Sequence, residues 1–202
     1  MKFVCREILE GMTATEEDAR ILLEPRTGDE VQKAVNGDVP VYLYSDLCKR
    51  MKGTSSFDVL EGMMNQSLKN IILIQDPNKM NSGHWTSLSF YPRRKEAYFF
   101  SSYGGMPDRE KMQWISDDDL QRSGQSPNIF NDGLKDFVTK KGWTIHYNQY
   151  PYQKVGDSTA TCGIWMAAFL NSDLNPDDFN TFTRTFDLDA PEYYKIFFKD
   201  DE

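Results

Sequence analysis

Histidine and cysteine are scarce in this sequence. Two histidines and three cysteines occur among 202 residues, and the cysteines lie far apart at Cys5, Cys48 and Cys162. So few histidines exclude a histidine-rich metal site, and the cysteine spacing excludes both a CxxC metal knuckle and a disulfide framework. Widely separated thiols in odd number are typical of a reducing compartment. We expect no metal and no other cofactor.

Positive charge is also in short supply. Lys and Arg total 23 against 31 Asp and Glu, which gives a net charge of −8. Such a surface repels polyanions and anionic lipid, so nucleic acid and membrane are not expected partners. Apolar runs such as Ile71–Ile74 are far shorter than the roughly 20 residues that span a bilayer. The opening MKFVCREILE has no apolar segment before its charges, so we expect a soluble intracellular protein without a signal peptide.

Several motifs that mark common enzyme classes are missing. The sequence contains no GxxxxGK[ST], GxGxxG, HExxH or GxSxG pattern. Their absence excludes the usual phosphate-loop, dinucleotide-binding, zinc-peptidase and serine-hydrolase signatures. Apolar residues make up 39% of the chain and aromatic residues 13%, which is enough to build a packed core.

Hydrophobic spacing predicts mixed helices and strands without strict βαβ alternation. The predicted helices are Thr15–Leu23 with Thr15 as its cap, Phe57–Gln66, Asn131–Lys140 and Cys162–Leu170. The predicted strands are Asn70–Gln75, Trp85–Tyr91, Glu96–Phe100 and Trp143–Tyr147, the middle two joined as a hairpin by Pro92–Lys95. The helix that starts at Cys162 is apolar nearly all round, which indicates burial on every side. This pattern favours an α+β fold with a small, mostly antiparallel sheet packed on that helix.

Cys162 is the strongest candidate for chemistry. A small, polar stretch precedes it and an apolar helix begins at it. A cysteine on the first turn of a helix faces unpaired backbone N–H groups and the positive end of the helix dipole, and both favour thiolate over thiol. Its alternative role is that of a small buried apolar residue.

A thiolate nucleophile needs a basic partner, normally histidine. His84 follows the flexible Asn81-Ser82-Gly83 segment at the mouth of a predicted strand. His146 lies in the middle of another predicted strand, where a purely structural role in the sheet is the simpler interpretation. We therefore favour His84 as the partner of Cys162.

The order of these residues resembles the adenovirus-type cysteine endopeptidases, which share a clan with the Ulp1-like proteases of ubiquitin-like proteins. The resemblance is carried by Gly83-His84-Trp85, a hairpin ending in Ser101-Ser102-Tyr103-Gly104, then Gln153 and Cys162-Gly163. It spans roughly Gly83–Leu170 and implies an adenain/Ulp1-like fold. From the architecture we expect a single cysteine protease domain, 1–202. Within it, 1–80 would be a mainly helical side wall, 81–171 the catalytic core and 172–202 a C-terminal segment.

The resemblance also implies a role for each matching residue. Cys162 would be the nucleophile, with His84 as its general base and then acid. Gln153 would direct its side-chain amide at the oxyanion together with the backbone N–H of Cys162. Trp85 and Tyr152 would contact substrate.

Two positions depart from the family pattern. The family has an acidic residue that orients the histidine, and Ser101 stands at the aligned position, where a hydroxyl supplies no negative charge. Ser101 as a weak orienter, Asp108 as a substitute and a Cys–His dyad all remain open, and we favour Ser101. The spacing of nine residues from Gln153 to Cys162 is slightly long, which leaves Gln149 as the fallback.

Three functions are consistent with these residues. The first is a cysteine endopeptidase of a virus or mobile element that cleaves precursor proteins during particle maturation, in the host cell or the virion. The second is an isopeptidase for ubiquitin-like proteins, whose glycine tail would enter a tunnel gated by Trp85 and Tyr152. The third is a binding or scaffold module with an impaired site, which Ser101 motivates.

Overall fold

The computed structural model describes residues 16–35, 38–75, 83–108, 115–125, 128–154 and 159–198. Within these ranges, nine helices and five strands alternate irregularly. The helices are α1 (Glu16–Leu23), α2 (Gly28–Ala34), α3 (Tyr44–Gly53), α4 (Ser56–Gln66), α5 (Asp117–Arg122), α6 (Ile129–Lys141), α7 (Cys162–Ser172), α8 (Pro176–Thr185) and α9 (Ala190–Phe197). The strands are β1 (Val41–Leu43), β2 (Lys69–Gln75), β3 (Gly83–Tyr91), β4 (Glu96–Ser101) and β5 (Thr144–Tyr147).

The described strands form one sheet in the order β1-β2-β3-β4-β5. Its centre is antiparallel, because β2 pairs with β3 and β3 pairs with β4 in opposite directions. Both edges are parallel, with β1 beside β2 and β5 beside β4. Parallel neighbours need a crossover, which α3 and α4 provide at one edge and α5 and α6 at the other. The predicted α+β class is confirmed, with antiparallel pairing at the centre of a mixed sheet.

Alternation along the strands gives the sheet two apolar faces. On one face, Ile71, Trp85 and Phe100 pack in a core with residues of α1, α2, α7, α8 and α9. On the other face, Ile72 and Leu88 pack in a second core with residues of α3, α4 and α6. The sheet is therefore the middle of three layers.

Helix α7 is enclosed as its composition predicts. Every residue from Cys162 to Leu170 is buried. The helix contacts β3 and β4 beneath it and α2, α8 and α9 around it. Because neighbours surround it, its first residue has little freedom to move. Among the described residues, no helix combines the length and apolar content needed to cross a bilayer.

All eight predicted elements are present, with small shifts at their ends. Thr15, the predicted cap of α1, lies outside the described residues. Five helices and one strand had no prediction: α2, α3, α5, α8, α9 and β1. Two of these helices begin at capping boxes, Thr27 with Glu30 and Asp189 with Glu192. In α2, which buries only Val31 and Ala34, capping was the readable signal, whereas α3 buries Tyr44, Leu47, Cys48 and Met51 at a helical spacing that the prediction missed.

Gly133 marks a close approach between α6 and the start of α4. A Cβ at this position would lie 2.8 Å from Ser56 Cβ, whereas a Cβ on Gly62 of α4 would meet nothing within 4 Å. We expect Gly133→Ala to lower the free energy of unfolding by about 1–3 kcal/mol through overpacking. The matched Gly62→Ala should raise it by about 0.5–1 kcal/mol through helix propensity. Urea unfolding of both variants checks the pair, and equal effects would contradict this packing.

Candidate active site

Several residues predicted from the sequence meet at one end of the sheet. Because β3 and β4 are antiparallel and Thr86 pairs with Ser101, the start of β3 lies beside the end of β4. This places His84 next to Ser101, and α7 begins with Cys162 at the same end. A cleft of about 810 Å³ opens there, and we call it the thiol cleft. Its walls include Pro25, Val41, Leu73, Trp85, Tyr103, Gln153 and Cys162.

A buried hydrogen bond joins His84 to Ser101. The imidazole Nε2 lies 2.9 Å from Ser101 Oγ, and neither residue is more than 1% exposed. The Tyr103 backbone N–H donates to the same Ser101 oxygen at 3.3 Å. Ser101 therefore occupies the position that the sequence assigned to it, against the histidine ring.

A hydroxyl at this position does not fix the histidine tautomer. Ser101 Oγ can accept a proton from Nε2 or donate its own proton to Nε2. Only the first arrangement leaves a free lone pair on Nδ1, which a base at that atom would need. A carboxylate accepts only, and so it would permit the base form alone. His84 Nδ1 is buried and has no hydrogen-bond partner among the described residues.

Burial also keeps the imidazole neutral. Desolvation lowers the pKa of His84 from 6.5 to about 3. Tyr103 contributes to this burial, because its ring stacks on the imidazole with the centroids 4.1 Å apart. Tyr103 also lines the thiol cleft, where His84 is not part of the lining.

Cys162 is buried at the first turn of α7. Burial raises the pKa of its thiol, and hydrogen bonds from the backbone N–H groups of Trp85, Gly163 and Cys162 itself act in the opposite direction. Thr161, the N-cap, makes no side-chain capping bond, which leaves first-turn N–H groups for the sulfur. Burial is the larger effect, so the pKa of the thiol is raised although the N–H groups at the helix start favour thiolate.

Cys162 and His84 lie at the same end of the sheet. No hydrogen bond joins the two side chains in the described part of the chain, and the residue after His84, Trp85, supplies a backbone N–H to the sulfur. Catalytic hydrogen bonds are often long in the free enzyme and tighten when substrate binds. The resting pair is thus a neutral thiol beside a neutral imidazole.

Gln153 has its amide oriented by two partners. Its Oε1 accepts from Ser102 Oγ at 3.1 Å, and its Nε2 donates to the Thr159 carbonyl at 2.5 Å. These partners set the nitrogen toward the loop before Cys162. Since the amide nitrogen carries two protons, one N–H is left after the bond to Thr159. Gln153 lines the thiol cleft.

Trp85 fills the space between the cleft and α7. Its indole N–H donates to the Arg26 carbonyl at 3.0 Å. A Cβ on Gly163 would lie 3.2 Å from both Trp85 Cδ1 and Arg26 Cβ, so the absence of a side chain there permits this contact. Trp85 lies in the cleft wall, and its contact with substrate stays a prediction.

Tyr152 lies away from the thiol cleft. Its ring packs 4.7 Å from that of Trp165 and contributes to a separate cavity of about 320 Å³ beside α8. The predicted pairing of Trp85 with Tyr152 around one tunnel is therefore not formed, because consecutive residues of the 152–153 segment face different cavities. Tyr103 is the aromatic residue that shares the thiol cleft with Trp85.

The other residues that the sequence offered, Asp108, Gln149 and His146, take no part in the hydrogen bond between His84 and Ser101. Asp108 accepts hydrogen bonds from the Tyr44 hydroxyl and from the backbone N–H groups of Phe130 and Asn131, which ties its carboxylate to the start of α6. Gln149 is exposed and does not line the thiol cleft. His146 lies on β5, with Nε2 3.6 Å from Glu96 Oε1.

Sequence reasoning missed Tyr103 and the loop 25–28. Tyr103 entered the sequence analysis only as part of the Ser101-Ser102-Tyr103-Gly104 motif, with no role of its own, although an aromatic residue two positions after Ser101 was its signal. The loop has no such signal, because it reaches the cleft through folding of α1 and α2 against α7. Within the described residues, no group of three or more His, Cys, Asp or Glu side chains could hold a metal ion.

Comparison with known proteins gives one related sequence and several distant structures. The chain is 25% identical over 167 residues to "uncharacterized protein V9" of the Sputnik virophage, covering 83% of this chain and 85% of that protein. No family model matches the sequence.

The solved structures overlap only loosely with this chain. The C-terminal Ulp1 protease domain in complex with Smt3, the yeast orthologue of SUMO, gives a TM-score of 0.40 at 12% identity and covers 87% of this chain and 75% of that chain. Ulp1 with its catalytic cysteine oxidised to a sulfinic acid gives 0.39 at 11%, covering 87% and 80%. The Chlamydia abortus effector ChlaDUB gives 0.29 at 19%, covering 58% and 55%. Overlaps of this size carry no inference about chemistry.

Because folding lowers the pKa of His84, the free energy of unfolding should depend on pH in the acidic range. The unfolded chain binds a proton below pH 6.5, whereas folded His84 stays neutral to about pH 3. Stability is therefore lost as pH falls through this window, by up to about 1.4 kcal/mol per pH unit. We expect His84→Gln to lose less stability than the wild type between about pH 6.5 and about pH 4.5 in urea unfolding. Equal losses would show that His84 is not buried in the neutral form.

A carboxylate at position 101 should favour an imidazolium at His84 and a thiolate at Cys162. Ser101→Asp would accept from His84 Nε2 and favour imidazolium, so Cys162 should lose its proton at lower pH. The ultraviolet absorbance of the thiolate during a pH titration measures this, with the same variant carrying Cys162→Ser as background. Ser101→Asn is the neutral control of similar shape. Identical titrations for Asp and Asn would show that charge at position 101 does not control the thiol.

Proposed function

We propose that this chain is a cysteine peptidase in which Cys162 is the nucleophile and His84 moves the proton. The observation that carries the proposal is the buried His84–Ser101 hydrogen bond, which lies at the end of the sheet where α7 begins with Cys162 and where Cys162 and Gln153 line a cleft. A histidine held by a polar partner and a cysteine whose sulfur receives backbone N–H groups are two of the parts that nucleophilic catalysis uses.

The proposed reaction passes through a thioester intermediate. Cys162 Sγ bonds to the peptide carbonyl carbon while His84 Nδ1 takes the thiol proton. The carbonyl oxygen, now an oxyanion, accepts from the Cys162 backbone N–H and the remaining N–H of Gln153. Collapse breaks the C–N bond, and His84 returns the proton to the leaving amine. Water then hydrolyses the thioester with His84 as base, which frees the carboxylic acid and the thiol.

The substrate we propose is an extended segment of a precursor protein. A cleft of about 810 Å³ has room for several side chains, and Pro25, Val41, Leu73, Trp85 and Tyr103 give it a largely apolar lining. The related virophage sequence supports a viral or mobile-element setting, in which proteolysis would mature particles.

An isopeptidase for ubiquitin-like proteins would use the same chemistry on a narrower class of substrates. Trp85 and Tyr103 both line the thiol cleft and could flank the glycine tail of such a substrate. A ubiquitin or SUMO vinyl sulfone probe should label Cys162 under this form, whereas an unrelated peptide vinyl sulfone should label it under the endopeptidase form.

A binding module is the competing proposal. The neutral state of His84, with its pKa near 3, and the missing Cys162–His84 hydrogen bond favour it, because a weak base activates a buried thiol poorly. The retained geometry of Cys162, His84 and Gln153 favours catalysis.

Cleavage of denatured casein, followed by mass spectrometry of the new termini, tests the proposal. We expect Cys162→Ala to abolish cleavage and His84→Ala to lower its rate by about 10²–10⁴-fold, since each removes a reacting group. His146→Ala, the matched histidine control, should leave the rate within about twofold. Cleavage that survives Cys162→Ala would refute the assignment. A wild type that neither cleaves nor reacts with peptide vinyl sulfones at Cys162 would establish the binding module.

A further inference from the structure

Asn148, the first residue after β5, holds the end of β4 with its side chain. The Ser101 backbone N–H donates to Asn148 Oδ1 at 3.0 Å, and Asn148 Nδ2 donates to the Ser101 carbonyl at 2.6 Å. The residue is 1% exposed. One side-chain amide therefore satisfies both main-chain groups of the residue that contacts His84.

The side-chain amide of Asn148 replaces the backbone hydrogen bonds that would continue the parallel pairing of β4 with β5. The β4–β5 pairing ends with Phe99 opposite Tyr147. If this pairing continued, backbone groups of the residues after Tyr147 would bond to Ser101. Because the side chain of Asn148 supplies the donor and acceptor instead, the backbone after Tyr147 is free to leave the sheet.

The departing segment is anchored by the same residues and carries Gln153. Asn148 Nδ2 also donates to the Tyr150 carbonyl at 3.1 Å, and the Asn148 carbonyl accepts from Gly105 N–H at 2.8 Å. The neighbouring Ser102 carbonyl accepts from the backbone N–H of Gln153 at 3.0 Å. The partner of the histidine and the oxyanion candidate thus share one set of hydrogen bonds.

We propose that Asn148 is a positioning residue that holds Ser101 against His84 and Gln153 beside Cys162. As a statement about turnover, this rests on the proposed peptidase function. The two hydrogen bonds to Ser101 require a planar side chain that carries both a donor and an acceptor. Aspartate lacks the donor and alanine lacks both, so each should loosen the site.

The kinetic test compares Asn148→Asp with Asn171→Asp. Asn171 makes the same kind of bond, from Nδ2 to the Ala34 carbonyl at 2.7 Å, at the opposite end of α7. We expect Asn148→Asp to lower kcat about tenfold to a hundredfold with KM nearly unchanged, and Asn171→Asp to leave kcat within about twofold.

The pH profile separates positioning from stability. The carboxyl introduced by Asn148→Asp lies beside two carbonyl oxygens, which favours its protonated form, and the proton restores an O–H donor. The rate of this variant relative to the wild type should therefore rise as pH falls. If Asn148→Asp does not fold, Asn148→Ala with Asn171→Ala as control replaces it in the kinetic comparison.

A readout that needs no turnover is the imidazole nitrogen NMR spectrum. The chain has two histidines, so His146→Gln assigns both. We expect Asn148→Asp or Asn148→Ala to shift the His84 Nε2 signal and the Asn171 controls to leave it in place. Unshifted His84 signals in the Asn148 variants, or kcat equal to that of the controls, would overturn the proposal. If the wild type shows no turnover, the peptidase function fails, and the NMR comparison alone decides the role of Asn148.

Discussion

The hydrogen bond between His84 and Ser101, closed off from water, governs the chemistry of this site. Burial removes the imidazolium form, and a hydroxyl partner restores neither the charge nor a fixed tautomer. The thiol of Cys162 therefore has no charged partner at rest, and its own burial keeps it protonated. Catalysis from this state requires the proton to move as the sulfur attacks, because no ion pair is formed beforehand.

The position of the site and its charge state have separate origins. The antiparallel centre of the sheet brings His84 to Ser101, and the enclosed helix α7 presents Cys162 at the same end. These placements depend on the two apolar cores, which many substitutions would preserve. The charge state depends on the burial of the His84 ring and on the residue at position 101, which is the ring's hydrogen-bond partner. A change at position 101 can therefore alter the charge state while the fold stays intact.

Residues with a strong local signal were predictable from the sequence. The apolar helix at Cys162, the hairpin of β3 and β4 and the order of His84, Gln153 and Cys162 are all visible along the chain. The parallel edges of the sheet were not, because they depend on crossovers that bring distant segments together. The burial that raises the pKa of Cys162 was not predictable for the same reason, since it comes from neighbours that only the fold assembles. The separation of Tyr152 from the thiol cleft and the presence of Tyr103 in it were not predictable, because a turn, not a period, decides which cavity each residue faces.

The rate of Cys162 alkylation by iodoacetamide, followed by peptide mass analysis from about pH 5 to about pH 10, tests the neutral resting pair most directly. A neutral pair predicts a rate that stays low at acidic and neutral pH and rises in a single step above about pH 8.5, the ordinary thiol value. A plateau of fast labelling between about pH 5 and about pH 7 that is lost in His84→Ala would reveal a thiolate–imidazolium pair. That result would contradict the account.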